Sequence, residues 1–333
     1  MKKLLTLLVA LLMVFSLAAC SSKTDNNTTT GGGNDVKEVN IGVAIYQFND
    51  NFMTLYRGEI AKYFDALNAK DSSVQYKVTI VDGKNDAGTQ TEQINTFIAQ
   101  GVDALIVNMV QPSTIEAVSD AASSAGIPVV FINREPEDAE AHKYPENECY
   151  VGAKAQESGT YQGQIIYDLP NHGDVNGNGV VDYVMIMGDV NNTDAQYRTE
   201  YSIKYLTDNG VAVNELFKQT GNWDQAQGQE LAANALSTFG DEIDVIFCNN
   251  DGMALGAYQS IVAAGRTVGE DIYLVGVDAL DECVEMVNNG TMTGTVLNDA
   301  VGQANAACDA VVGYLNGAEV ATYQYVPYVM VRK

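Results

Sequence analysis

From residue 39 to residue 297 the sequence keeps alternating short, continuously apolar runs with longer stretches of helical spacing. A strand with one wet face alternates apolar and polar residues. A strand apolar throughout is buried on both faces and needs helices to cover them, as in parallel sheets. Residues 39–46 are the first such run, and in 52–67 Phe52, Leu55, Tyr56, Ile60, Tyr63, Phe64 and Leu67 share one helical face. Strands are predicted at 76–81, 104–107 and 127–132, and helices at 91–100 and 114–125, stopped by Gly101 and Gly126. The rhythm restarts after residue 148, with strands predicted at 183–187, 211–217, 245–248, 273–277 and 293–297. The expected fold is therefore α/β, two doubly wound parallel-sheet lobes joined by a hinge. The expected lobes are 38–132 with 299–317, and 133–298 with 318–333. The hinge crossings are placed near Ile132, near Leu297 and at the end of the 301–315 helix.

The segment ahead of this alternation reads as targeting sequence. Lys2 and Lys3 precede an apolar run over 4–15, too short to span a bilayer, and Leu17-Ala18-Ala19-Cys20 follows. Small residues before a cysteine resemble a bacterial lipobox, so 1–19 is expected to be cleaved and Cys20 lipidated. Two acyl chains on Cys20 would hold the protein stably on the outer face of the cytoplasmic membrane, where one is marginal. Residues 20–37 are nearly all polar and are expected to form a tether. No later run is long enough to cross a membrane.

With Lys+Arg 18 against Asp+Glu 43, the net charge is −25. Nucleic-acid binding rests on cationic contacts with phosphates, so this balance argues against it, and against a polybasic membrane patch. Cys149, Cys248, Cys283 and Cys308 match no zinc spacing, and the sequence does not say whether any two are bridged.

In open parallel sheets ligands lie beyond the carboxyl ends of the strands. Five predicted strands end in Asn or Asp: Asn49-Asp50-Asn51 ahead of Phe52, then Asn108, Asn249-Asn250-Asp251, Asp278, and Asn298-Asp299. Asp194 and Arg198 follow the strand ending at Met187, and Trp223, the single tryptophan, sits in a polar loop. Each Asn or Asp alone would serve as a turn former or helix N-cap, and Trp223 could be a packing residue. Five strand ends together favour a polar site, with hydrogen-bonding groups for hydroxyls and flat rings for C–H faces.

Here the chain resembles the bacterial galactose/glucose-binding proteins, solute receptors of sugar ABC transporters with the type I periplasmic-binding-protein fold. The resemblance rests on Ile41-Gly42-Val43-Ala44-Ile45-Tyr46, Asp50-Asn51-Phe52-Met53, Asn249-Asn250-Asp251, Gly276-Val277-Asp278-Ala279-Leu280 and Gly294-Thr295-Val296-Leu297-Asn298-Asp299-Ala300. It implies Phe52 and Trp223 as stacking rings. It implies Asp50, Asn108, Asp194, Arg198, Asn250, Asp278 and Asn298 as the hydroxyl-binding set. Asn192 stands where the family has a histidine, at the hydroxymethyl end of the sugar. The implied activity is capture of glucose, galactose or a methyl-galactoside by a monomer, with delivery to an ABC permease; presentation to a chemoreceptor or sensor kinase is the alternative.

The stretch Asp174-Val175-Asn176-Gly177-Asn178-Gly179-Val180-Val181-Asp182 matches the first part of an EF-hand calcium loop. Asp174, Asn176, Asn178 and Asp182 supply side-chain oxygens at positions one, three, five and nine. Gly179 stands at six, and Val180 offers its carbonyl at seven. The last-position Glu is absent. In the resembled family a distant Glu closes the cage, and the aligned residue here is Asp244, one methylene shorter. An Asx- and Gly-rich turn without metal would carry the same residues. Enzyme readings are poorer: His142 and His172 have no nucleophile pattern nearby, and a glycosidase pair would have to come from carboxylates the binding reading already uses.

Overall fold

A computed structural model describes residues 36–136 and 143–333. The cleavage site, Cys20, nearly all of the tether and His142 lie outside the described residues.

The first lobe opens with β1 (Lys37–Ile45), α1 (Asn51–Lys70), β2 (Val74–Asp82), α2 (Ala87–Gln100), β3 (Ala104–Val107), α3 (Ile115–Ala125), β4 (Val129–Ile132) and β5 (Glu148–Gly152). The chain then builds α4 (Ala155–Tyr167), β6 (Val181–Met187), α5 (Thr193–Asp208), β7 (Val213–Thr220), α6 (Gln225–Phe239), β8 (Val245–Cys248), α7 (Asp251–Ala263), β9 (Tyr273–Val275), α8 (Asp281–Asn289) and β10 (Gly294–Leu297). It returns through α9 (Ala300–Leu315), β11 (Tyr323–Tyr325) and β12 (Val329–Arg332). One six-stranded sheet runs β11-β5-β4-β3-β1-β2, the other β12-β10-β9-β8-β6-β7. All pairings are parallel except β12 against β10.

The two-lobe α/β architecture is thus as the alternation predicts. Central strands β3, β4 and β8 are buried at every position, while the edge strands β2 and β7 are not. Each central strand removes both faces from water and gains apolar burial on both. Gly101 and Gly126 end α2 and α3 in the left-handed region, at φ 68° and 71°, where a glycine has no Cβ to clash.

Two of the three expected crossings fall elsewhere. β5 pairs with β4 from Val129↔Glu148 to Ile132↔Val151, and β11 pairs with β5 at Tyr323↔Tyr150. Both strands belong to the first sheet, so the chain leaves the first lobe after Gly152, not after Ile132. It re-enters near Asn298 and leaves again after Tyr325, not near residue 317. The strands responsible are short: Glu148-Cys149-Tyr150-Val151-Gly152 and Tyr323-Gln324-Tyr325 lack the continuous apolar run that marks the others. All four described cysteines are buried and free, which closes the disulfide question for them. Among the described residues no helix is long and apolar enough to cross a membrane.

Candidate functional site

The carboxyl ends of both sheets face one another across a cavity. From the first lobe it is lined by Tyr46, Asp50, Phe52, Asn133 and Arg134. From the second come Asn192, Asp194, Arg198, Trp223, Asn250 and Asp278, with Asn298 at the crossing after β10. Nine of the ten residues singled out in the sequence are gathered here. Asn108 is not: its Nδ2 donates to the Ile132 carbonyl at 3.2 Å and Asn133 Oδ1 at 3.1 Å, and its Oδ1 accepts from the Tyr46 N–H at 3.4 Å. Its amide is spent tying three strand ends together behind the wall.

Several lining residues are helix caps whose second function faces the cavity. Asp50 caps α1, with Oδ1 accepting from the Met53 N–H at 2.7 Å, and Oδ2 accepts from the Tyr46 hydroxyl at 2.6 Å. Asn192 caps α5 through Oδ1 on the Asp194 N–H at 2.7 Å, and Asn250 caps α7 through Oδ1 on the Met253 N–H at 2.9 Å. The capping and the polar-site readings of these residues are therefore not alternatives. A cap oxygen fixes the side chain, and the remaining lone pairs or amide hydrogens stay available.

Arg198 anchors the second lobe's share. Its Nη1 donates to the Asn249 carbonyl at 2.7 Å, its Nη2 to the Tyr328 hydroxyl at 3.1 Å, and Asp278 Oδ1 stands 3.9 Å from Nη1. Burial alone would depress this guanidinium; Tyr328, Asp278 and Asp194 outweigh it and hold it charged. Burial drives both Asp278 and Asp194 up from the usual carboxylate range, against the pull of Arg198. Asp194 Oδ2 and Arg198 Nε are buried with no hydrogen-bond partner. Leaving such groups unpaired costs about 1–3 kcal/mol each, more when charged. The cavity thus favours an occupant rich in both donors and acceptors.

Trp223 is 9% exposed, and its ring lies 5.5 Å from the Arg198 guanidinium. Gly188, just past β6, allows it that place: a Cβ there would overlap the indole. Asn133, Trp223 and Asp278 hold positive φ of 64°, 64° and 123°. Strained backbone of this kind persists where the surroundings over-determine it, and such positions cluster at ligand sites.

Tyr46, Asn133, Arg134 and Tyr328 were not singled out from the sequence. Asn133-Arg134 follows a predicted strand just as Asn108 does, and that position was the available signal. Tyr328 gave none, since it lies in the crossing between β11 and β12.

The 174–182 loop is folded on its own oxygens. Asp174 accepts from the Gly177 and Gly179 N–H groups, Asn176 from the Asn178 N–H, and Asn178 from the Val180 N–H. Asp182 accepts from Asn178 and Asn214 side chains. Asp244 accepts from the Val175, Asn176 and Asp182 N–H groups at 2.9–3.0 Å. Among the described residues no group of three or more His, Cys, Asp or Glu gathers as a metal cluster. The donor set is all oxygen, which suits a hard cation: three carboxylates, Asp174, Asp182 and Asp244, stand beside two amides and one backbone carbonyl.

A family model described as a periplasmic binding protein domain matches residues 41–319. The D-galactose/methyl-galactoside binding periplasmic protein MglB of Haemophilus influenzae is 37% identical over 270 residues, 80% of this chain and 78% of that protein. A putative rhizopine-binding protein of Rhizobium meliloti is 35% identical, over 88% of this chain and 90% of that one. Among solved structures, an ABC transporter solute binding protein from Bacillus halodurans with bound myo-inositol superposes with a TM-score of 0.76 at 26% identity, covering 90% of this chain and 96% of that one. Two parallel-sheet lobes around a polar cavity, matched by a family model over most of the chain, place this protein in the periplasmic binding protein family, as a solute-binding protein and not an enzyme.

Proposed function

We propose that the cavity captures a monosaccharide, glucose, galactose or a methyl-galactoside, and that the closed protein delivers it to the membrane subunits of an ABC-type permease. The observation that carries the reading is the cavity's polar set: Asp50, Asp194 and Asp278 as acceptors, Arg198 as donor, and two of their atoms left without partners. Sugar hydroxyls both donate and accept, so they suit such a set. Phe52 and Trp223, one from each lobe, offer flat apolar surface for the C–H faces of a pyranose ring. The Haemophilus relative, named for galactose and methyl-galactoside, supports this choice. Because the lining comes from both lobes, the ligand makes its full set of contacts only when they are closed, and so favours closure.

Two further parts belong to the same reading. Cys20 carries the lipid that keeps the receptor at the outer face of the cytoplasmic membrane. A calcium ion held by Asp174, Asn176, Asn178, Asp182, the Val180 carbonyl and Asp244 would bind the folded second lobe and so stabilise it.

Titration calorimetry on residues 36–333 with glucose, galactose, methyl-galactoside, ribose and myo-inositol tests the ligand. Tight hexose binding is expected. Binding of ribose or myo-inositol with no response to the hexoses would overturn the choice of sugar.

A further inference from the structure

The segment after β4 lines the cavity and also reaches across it. Arg134 is 2% exposed and is fixed by its own lobe. Its guanidinium carbon lies 3.8 Å from the Tyr46 ring centroid, and Nη1 donates to the Val110 carbonyl at 2.5 Å. From the other lobe, in the turn between β6 and α5, comes Asp189, with Oδ2 3.9 Å from Arg134 Nη1. Oδ1 of Asp189 accepts from the Asn191 N–H at 2.9 Å, which holds the carboxylate in place. Next in sequence, the Glu135 main-chain N–H acts on the Asp194 carboxylate, again across the cleft. Asp189 does not line the cavity.

Resting on the capture reading above, we propose that Arg134 and Asp189 form a latch between the lobes, with Arg134 as a positioning residue that couples closure to the ligand site. The cation belongs to two systems. Through the Tyr46 ring it supports the hydroxyl that bonds Asp50, and across the cleft it meets Asp189. Arg134 keeps its first-lobe contacts when the lobes part, whereas the Asp189 contact exists only in the closed form. An attraction of this kind raises the closed population without touching ligand. A ligand held in the closed form leaves only when the lobes open, so losing the attraction speeds its release.

Asp189→Asn keeps the Oδ1 acceptor of the turn and removes the charge. The pair is held between a buried guanidinium and a carboxylate whose side chain is 20% exposed, so its loss is expected to weaken sugar binding about three- to tenfold. Stopped-flow tryptophan fluorescence should place the change in a faster dissociation rate, with association unchanged. In an Arg134→Gln background the same Asp189→Asn change should have no effect, which separates the pair from any direct effect of Arg134 on ligand. Small-angle scattering of the ligand-free protein gives a readout independent of the sugar: the variant should show the larger radius of gyration. Unchanged affinity with unchanged scattering overturns the latch, as does an equal effect in both backgrounds. If no monosaccharide binds the parent, the capture reading fails, and the scattering comparison alone decides the latch, equal radii overturning it.

Discussion

Gly188→Ala isolates the role of the Trp223 ring without removing a polar group. Gly188 lies outside the left-handed region, so an alanine is acceptable to the backbone. The obstacle is the indole: a Cβ at 188 would fall inside contact distance of three of its ring carbons. The ring cannot retreat cheaply, because Trp223 already sits at a strained φ of 64° and is 9% exposed. Overpacking at a well-packed position costs typically about 1–3 kcal/mol. The ring is then displaced from the cavity wall, and the same energy, taken from the binding-competent arrangement, corresponds to roughly a 5- to 150-fold loss of affinity. Trp223 is the only tryptophan, so its emission reports the displacement directly. Measure the melting temperature, the ligand-free emission maximum and the hexose dissociation constant of the variant beside the parent. A lower melting temperature, a shifted maximum and weakened binding are expected together. A variant that matches the parent in emission and affinity would refute the claim that this ring forms the wall of the ligand site.

Asp251, buried behind the cavity, accepts from the Thr295 hydroxyl at 2.7 Å and the Leu280 N–H at 2.9 Å, and burial still pushes it up to about 6. Its folded state therefore holds a proton more tightly than the unfolded chain, so the contribution to stability is full below about pH 4 and is lost as pH rises toward about 6. Asp251→Asn, neutral at every pH, should raise the melting temperature above pH 7, by the equivalent of at most about 3 kcal/mol, and the gain should vanish near pH 4; a pH-independent difference would refute this. Melting with calcium and with chelator tests the 174–182 loop: a higher midpoint with calcium is expected, about 4 kcal/mol at a thousandfold excess over Kd, and equal midpoints would leave it a metal-free turn. Cys20→Ala should release the protein from the membrane fraction or leave it unprocessed; normal processing with full membrane retention would remove the lipid anchor.

The sequence made the layered part of the fold legible because period and continuity of apolar residues report burial directly. β3, β4 and β8 could be read at once, since each is buried at every position and apolar throughout. β5 and β11 could not: β5 is just as buried but opens on Glu148 and ends on Gly152, and β11 is a three-residue edge strand interrupted by Gln324. Within the cavity, residues such as Asp50 and Asn250 were found because strand-end Asn and Asp stand out against an apolar run. Arg134 escaped notice for a physical reason. Its role depends on the Tyr46 ring beneath it and on Asp189 in the other lobe, and neither neighbour is near it in sequence.

β11 and β12, the last two strands in chain order, complete different sheets: one sits beside β5 at the edge of the first, the other beside β10 at the edge of the second. Both lobes therefore wait for the same short stretch of chain. The β11 pairing, Tyr323 with Tyr150, is distant in sequence and forms slowly, because the loop it closes must be ordered before the contact repays it; β12 pairs with the nearby β10, Arg332 with Gly294. Neither lobe can reach its final form while that stretch is still being made or still on the inner side of a membrane. For an exported receptor this is a useful order of events, since a chain threaded outward must not lock into shape before it has passed. It also means that a lesion in residues 323–332 damages two cores at once, including the one built almost entirely from sequence far upstream.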